Sequence, residues 1–266
     1  MLGLSNSISS SSYVESYKEL RELNNYSDLD VHFDFSALGS DNGTEISAVT
    51  NLGQASSKDI NSNSGTPLFD ISTMGRPSIA FDGTDEILNM EGTFTSTNKA
   101  FTIFIVFRLA NLSADFVLTG ATDASSVPED YVKFHGTDGN KVFLAIGGET
   151  VVSVQSDTTA ASTINYSQVA DVNTVYVIRR NTDGEVFIYA DKGLFISTKT
   201  STAMKAGATF ELAHIGGTTE TGSGSSLADL TGNIGEVGIY DADIGASDAI
   251  TLAEELSKKW GVTRSS

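Results

Sequence analysis

Cysteine is absent from the 266 residues. That excludes disulfides, thiol nucleophiles and cysteine-held zinc together. Basic residues are scarce, with 16 Lys and Arg against 34 Asp and Glu and a formal net charge of −18. A phosphate backbone or an anionic membrane surface is repelled by such a chain, so nucleic acid is not an expected partner. Long apolar runs are missing too. The longest, Phe101 to Phe107, is interrupted by Thr102 and far too short to span a bilayer, so no membrane insertion is expected. Met1 to Ser12 is serine-rich, without a basic start or an apolar block, and does not read as a secretory signal. No proline-rich linker and no repeat of solenoid or propeller period divides the chain.

Catalytic motifs are likewise missing. There is no G-x-S-x-G elbow, and Gly216-Gly217 stands in a Thr/Ser-rich loop without a following lysine, so no phosphate-cradling loop is present. A retaining glycosidase would carry Glu-x-Asp-x-x-Glu on one strand, alternate positions facing one cleft. Around Glu86 with Glu91, Glu185, and Glu236 with Asp241, that spacing does not occur. His32, His135 and His214 are far apart, one per segment, and read as structural residues. No catalytic residue is assigned, and the protein is expected not to be an enzyme.

What is present is a succession of strand signals. Residues 1–25 read as a flexible arm and a short helix that starts in a capping box at Ser12-Tyr13-Val14-Glu15. Residues 26–266 read as one sandwich domain. Val31 to Phe35 alternates like a half-buried strand, and a Ser/Asn/Gly/Asp-rich stretch follows, with one strand-like piece at Ile46 to Leu52. Arg76 to Leu88 reads as strand, turn, strand, with Asp82-Gly83 in the turn. Phe101 to Leu109 is apolar on both alternating faces and predicts a central strand covered on both sides. Shorter strands are predicted at Asp115 to Leu118, Tyr131 to Phe134, Lys141 to Ile146 and Val151 to Val154. Thr174 to Arg180, Glu185 to Tyr189 and Leu194 to Ser197 form a meander of hairpins, with Val186, Ile188 and Ala190 on one face. Phe210 to Ile215 and Leu230 to Tyr240 complete the sheet, Ile234 sharing a face with Glu236, Gly238 and Tyr240. A last helix is predicted from a Ser247 cap to Trp260, with Ala249, Ala253, Leu256 and Trp260 inward and Gly261 as the stop. Many short strands with turns between them predict an all-β, antiparallel, two-sheet sandwich.

Several of these pieces resemble concanavalin A-like, laminin-G-like jelly-roll modules. Gly75-Arg76-Pro77-Ser78-Ile79-Ala80-Phe81-Asp82-Gly83-Thr84-Asp85 is similar to their early strand pair. Ile234-Gly235-Glu236-Val237-Gly238-Ile239-Tyr240 is similar to their closing strand, and Ala253 to Gly261, ending in Lys259-Trp260-Gly261, to their terminal helix. The resemblance spans roughly residues 31 to 262 and implies the fold. An acidic, cysteine-free module with that ending further resembles virion proteins of tailed, especially marine, bacteriophages. It implies a non-enzymatic particle protein that contacts other virion proteins or a host-surface glycan, with a glycan-processing enzyme or soluble lectin as the alternative. Localisation in a virion, attachment through residues 1–25 and a homo-oligomer of open order are the accompanying expectations.

Calcium is the one cofactor the resemblance raises, and it needs about six to eight oxygens. Asp82 with Asp85, and Asp241 with Asp243, are the paired carboxylates considered, and both pairs read as turn and cap residues. No metal ligand is assigned. Tyr131, Tyr166 and Tyr189 are the aromatic residues considered for sugar stacking, while Trp260, the sole tryptophan, reads as packing. No carbohydrate-binding residue is assigned.

Overall fold

A computed structural model describes residues 28–262, apart from 56, 97–99, 114, 123–127, 136–140, 147–148, 155–168, 192–193, 200–208 and 218–229. The helix predicted within residues 1–25 lies outside the described residues, as does the loop predicted over Gly216 to Ser226 beyond its first two residues. The strands are β1 Leu29–Asp34, β2 Ile60–Ser64, β3 Leu68–Asp70, β4 Ser78–Asp82, β5 Ile87–Thr95, β6 Phe101–Leu109, β7 Asp115–Thr122 and β8 Pro128–His135. They continue with β9 Lys141–Ile146, β10 Glu149–Val154, β11 Thr174–Arg180, β12 Val186–Ala190, β13 Leu194–Lys199, β14 Glu211–Ile215 and β15 Thr231–Tyr240, and the helix α1 is Gly245–Lys259.

The strands form two antiparallel sheets. The first has the order β13-β12-β11-β6-β15-β4-β3, with β1 also paired to β15; the second has the order β10-β9-β8-β7-β14-β5-β2. One large apolar cluster fills the space between them, with Phe33, Ile79, Ile103, Ile105, Phe107, Ile178, Ile188, Ile234 and Val237 from the first sheet facing Leu88, Phe94, Phe116, Leu118, Val132, Leu144, Leu212 and Ile215 from the second. The predicted two-sheet β-sandwich is therefore the observed fold. A second cluster lies on the outer side of the first sheet, where Phe104, Val106, Val175, Val177 and Tyr240 meet Ala249, Leu252, Ala253, Leu256 and Trp260 of α1. Strand β6 is sandwiched between the two clusters, which is why Phe101–Leu109 is apolar at both parities and buried except at Arg108.

Several expectations are corrected. Strand β1 is not half-buried: His32 and Asp34 are as covered as Val31 and Phe33, because α1 roofs the face they occupy. The serine-rich stretch contributes β2, with Ile60 its only apolar residue and so no visible period, and the piece predicted at Ile46 to Leu52 forms only the single bridge Val49–Ile60; β3 follows as three residues, too short to show a period. The Asp82-Gly83 turn exists, with Gly83 at φ +86, but it carries the chain from the first sheet to the second, so β4 and β5 are not hairpin partners. Strand β15 does not close the sheet; it is central, pairing β6 on one edge and β4 then β1 on the other. A bulge between Ile234 and Glu236 turns Ile234 inward and leaves Glu236 facing α1, so the predicted strict alternation fails. Helix α1 starts at Gly245, whose N–H donates to the Asp243 carboxylate, so Ser247 lies inside the first turn rather than at the cap. Its C-terminus is as predicted, with Trp260 at the cap and Gly261 at φ +62.

Gly235 in the bulge is required by packing. A Cβ there would stand 2.4 Å from the Trp260 ring, and one at Gly238 would stand 2.3 Å from the Phe104 ring. Gly235→Ala is expected to displace Trp260 and to cost about 1–3 kcal/mol as overpacking. Because Trp260 is the only tryptophan, its fluorescence reports the displacement directly as a red-shifted native emission, and urea unfolding followed by the same signal gives the loss of stability.

Candidate functional site

The bulge points Glu236 into the seam between the first sheet and α1, where it is fully buried. Its Oε1 lies 2.8 Å from His32 Nε2, and its Oε2 accepts from Lys259 Nζ at 2.7 Å and Trp260 Nε1 at 2.8 Å. Lys259 Nζ also donates to Asp34 Oδ2 at 2.7 Å. Asp34 Oδ1 accepts from the Ser36 amide at 3.1 Å and the Ser36 hydroxyl at 2.6 Å. Burial alone would raise the Glu236 pKa, but Lys259 and His32 overcome it and hold the carboxyl at about 2. For Lys259 burial opposes protonation, and Glu236 and Asp34 more than offset it, so its pKa is raised. Glu236 is thereby withdrawn from any solvent-facing chemistry, and Trp260 is the packing residue the sequence predicts.

Of the other acids considered, the structure brings together Asp82 and Glu86, in one turn. Glu86 is buried under its turn, where its Oε2 accepts from Asp82 N at 3.0 Å; burial and the neighbouring Asp82 carboxyl raise its pKa. Glu91 is exposed on β5, and Glu185 accepts from Asn181 in the β11–β12 turn. Asp82 caps Thr84 N at 2.9 Å, and Asp243 makes a bidentate pair with Arg179, both contacts at 2.9 Å. The Asp241 amide donates to Asp28 O. Among the described residues no group of three or more His, Asp or Glu side chains could hold a metal ion. These contacts are the turn and cap roles predicted for Asp82 and Asp243. Tyr189 is buried on the α1 side, with its hydroxyl 3.4 Å from Arg179 Nε. Tyr166 lies outside the described residues, and for His135 only the strand position, the end of β8, is described.

The opposite side of the molecule differs. Among the described residues no helix or strand lies over the outer face of the second sheet. There the register aligns one row through all seven strands: Ser62, Asn89, His214, Gly120, Tyr131, Ala145 and Thr150. Asn89 Oδ1 lies 2.9 Å from His214 Nδ1, tying β5 to β14, and the Thr119 hydroxyl donates to His214 O at 2.8 Å. Burial lowers the His214 pKa, so the imidazole is neutral at pH 7. Gly120 places bare backbone between His214 and Tyr131. Over its described side chains the row combines the Ser62 hydroxyl, the Asn89 amide and the His214 imidazole with the bare backbone of Gly120. Sequence reasoning treated His214 as a lone strand residue and did not consider Asn89, because the two are 125 positions apart and only the strand order makes them neighbours.

No protein-family model and no curated protein matches the chain in sequence. Its fold, however, is shared with solved structures. Domain 4 of a GH43 extracellular arabinanase from Geobacillus stearothermophilus, in complex with arabinotriose, is similar at a TM-score of 0.54 and 14% identity, over 85% of this chain and 98% of that domain. A Trypanosoma rangeli sialidase mutant displaying trans-sialidase activity is similar at 0.55 and 13%, over 96% of this chain. The receptor-binding domain of botulinum neurotoxin type G is similar at 0.52 and 10%, over 85% of this chain. The chain spans 38% of the sialidase and 51% of the toxin domain. At these identities the likeness is one of fold.

The buried network generates a stability prediction. Lys259→Met leaves two buried carboxylates without their ammonium, and removing one partner of a buried ion pair costs about 3–5 kcal/mol. Adding Glu236→Gln to that variant should recover part of the loss, as a double-mutant cycle in urea would register. As long as Lys259 is an ammonium, the contribution of Glu236 is complete above its ordinary pKa of 4.5 and is lost as the pH falls toward about 2. Denaturation midpoints measured across that window should fall with acid, and less so in Glu236→Gln.

Proposed function

We propose that this protein is a non-enzymatic glycan-binding sandwich of a virion, and that the outer face of the second sheet is where the glycan lies. The observation that carries the reading is the Asn89–His214 pair beside Gly120 on the sheet face that no described element covers; in register, Tyr131 is the next position of that row. Sugar hydroxyls are bound by a few fixed amide, imidazole and hydroxyl groups on a shallow surface that also offers an aromatic residue. A neutral imidazole paired to an amide supplies such groups without a charge. The net charge of −18 favours neutral over anionic glycans, since like charges raise the cost of approach. The absence of the glycosidase carboxylate spacing, and the withdrawal of Glu236 beneath α1, support binding over hydrolysis. The virion assignment rests on the resemblance of the Lys259-Trp260-Gly261 ending in an acidic, cysteine-free chain. There the partners would be neighbouring particle proteins as well as host glycan.

The test is a glycan array followed by titration of the best ligand. Specific retention of neutral oligosaccharides is expected, without release of reducing sugar on prolonged incubation. His214→Ala and Asn89→Ala should each weaken binding about tenfold or more, since each leaves the other's polar group without its hydrogen-bond partner, at about 1–3 kcal/mol. Lys259→Met, on the other side of the sandwich, should leave the affinity of the folded fraction unchanged. Binding that survives both substitutions on the second sheet removes this face from the reading, and hydrolysis of the ligand replaces it with the enzyme alternative.

A further inference from the structure

The seam under α1 holds more than an ion pair. Lys259 Nζ stands 2.7 Å from Asp34 Oδ2 and 2.7 Å from Glu236 Oε2, with the three side chains 11%, 3% and 0% exposed. The carboxyl carbon of Asp34 is one bond behind the oxygen that Lys259 already touches. The other oxygen, Oδ1, is held by two donors, the Ser36 amide and the Ser36 hydroxyl. Trp260 Nε1 and His32 hold Glu236, and Phe104 packs edge-on to His32. An amine, a carboxyl with donors on its carbonyl oxygen and a second carboxylate beside the amine are the components of an amide-forming site.

We propose that Lys259 and Asp34 condense to an intramolecular isopeptide bond, with Glu236 as the proton carrier. The step begins in the ion pair, with one Nζ proton passing to Asp34 Oδ2. The amine then adds to the Asp34 carboxyl carbon, and the negative charge that develops on Oδ1 is stabilised by the Ser36 amide and hydroxyl. Glu236 Oε2 accepts a second Nζ proton and returns it to Oδ2, which leaves as water. One C–N bond forms and one C–O bond breaks; the ammonium and carboxylate become an amide and water, and Glu236 ends as it began. Nothing is oxidised and no activating group is consumed. In water this condensation is disfavoured. Here the reactants are already in contact and dehydrated, so the entropic part of the barrier is met by the fold, and the product removes two charges that are costly to keep buried. The bond would join β1 to the end of α1 and close the chain from residue 34 to residue 259.

The intact mass of the full-length protein under denaturing conditions decides the matter. The expected result is a mass one water lighter than the sequence requires, with a branched proteolytic peptide joining the segments around Asp34 and Lys259. Lys259→Arg and Asp34→Ala should restore the full mass, and Glu236→Gln should slow or abolish the loss of water. A wild-type mass equal to the sequence mass overturns the proposal without recourse to any variant. A water deficit that persists in Lys259→Arg, or that disappears in hydroxylamine, also overturns it, because it marks a succinimide at an Asp-Gly site such as Asp82-Gly83 or Asp183-Gly184.

Discussion

One buried carboxylate organises half of this molecule. Glu236 sits where β15, β1 and α1 converge, and it is bonded to a residue of β1 (His32) and to two at the end of the helix (Lys259 and Trp260). A charge in that position needs partners from every side, so the first sheet, its added strand β1 and the helix are fixed relative to one another. The bulge at Gly235 is part of the same arrangement, since it turns Glu236 toward the seam and leaves room for the indole. With the outer face of the first sheet sealed in this way, β6 is buried on both sides, while no described helix or strand lies over the outer face of the second sheet.

Much of this was legible in the chain. The double-parity apolar run Phe101–Leu109, the meander from Thr174 onward and the inward stripe Ala249, Ala253, Leu256, Trp260 are local patterns, and the structure repeats them. The failures have a common cause. Strand β1 reads as half-exposed because His32 and Asp34 are polar, and only the distant Lys259 and Glu236 make their burial tolerable. Strand β2 has one apolar residue and β3 only three residues, so neither reveals a period, and they form because neighbours offer them a ladder. The central place of β15 and the sheet change at Asp82-Gly83 are properties of topology rather than of any window of sequence. The candidate site was the least legible part. Asn89, His214, Gly120 and Tyr131 come from four strands whose adjacency is set by the order β8-β7-β14-β5, while the residues that looked chemical by type, the paired aspartates and Glu236, are engaged in turns, caps and packing.

The division into two sides also organises function. The acidic side chains with assigned contacts are engaged in structure: Glu236 and Asp34 hold Lys259 under α1, Asp243 pairs with Arg179, and Asp82 caps its turn. The outer face of the second sheet is the one over which no described helix or strand lies. A rigid, antiparallel sheet holds side chains from different strands at fixed spacing, which suits recognition of a ligand with hydroxyl groups at fixed intervals.

Hydrogen–deuterium exchange on the full-length protein, with and without the neutral oligosaccharide selected from an array, tests this two-sided account most directly. The account predicts added protection in β14 and β7, residues 211–215 and 116–120, and an unchanged profile along α1, residues 245–259. Protection confined to α1 and its seam, with β14 and β7 unaffected, would contradict it.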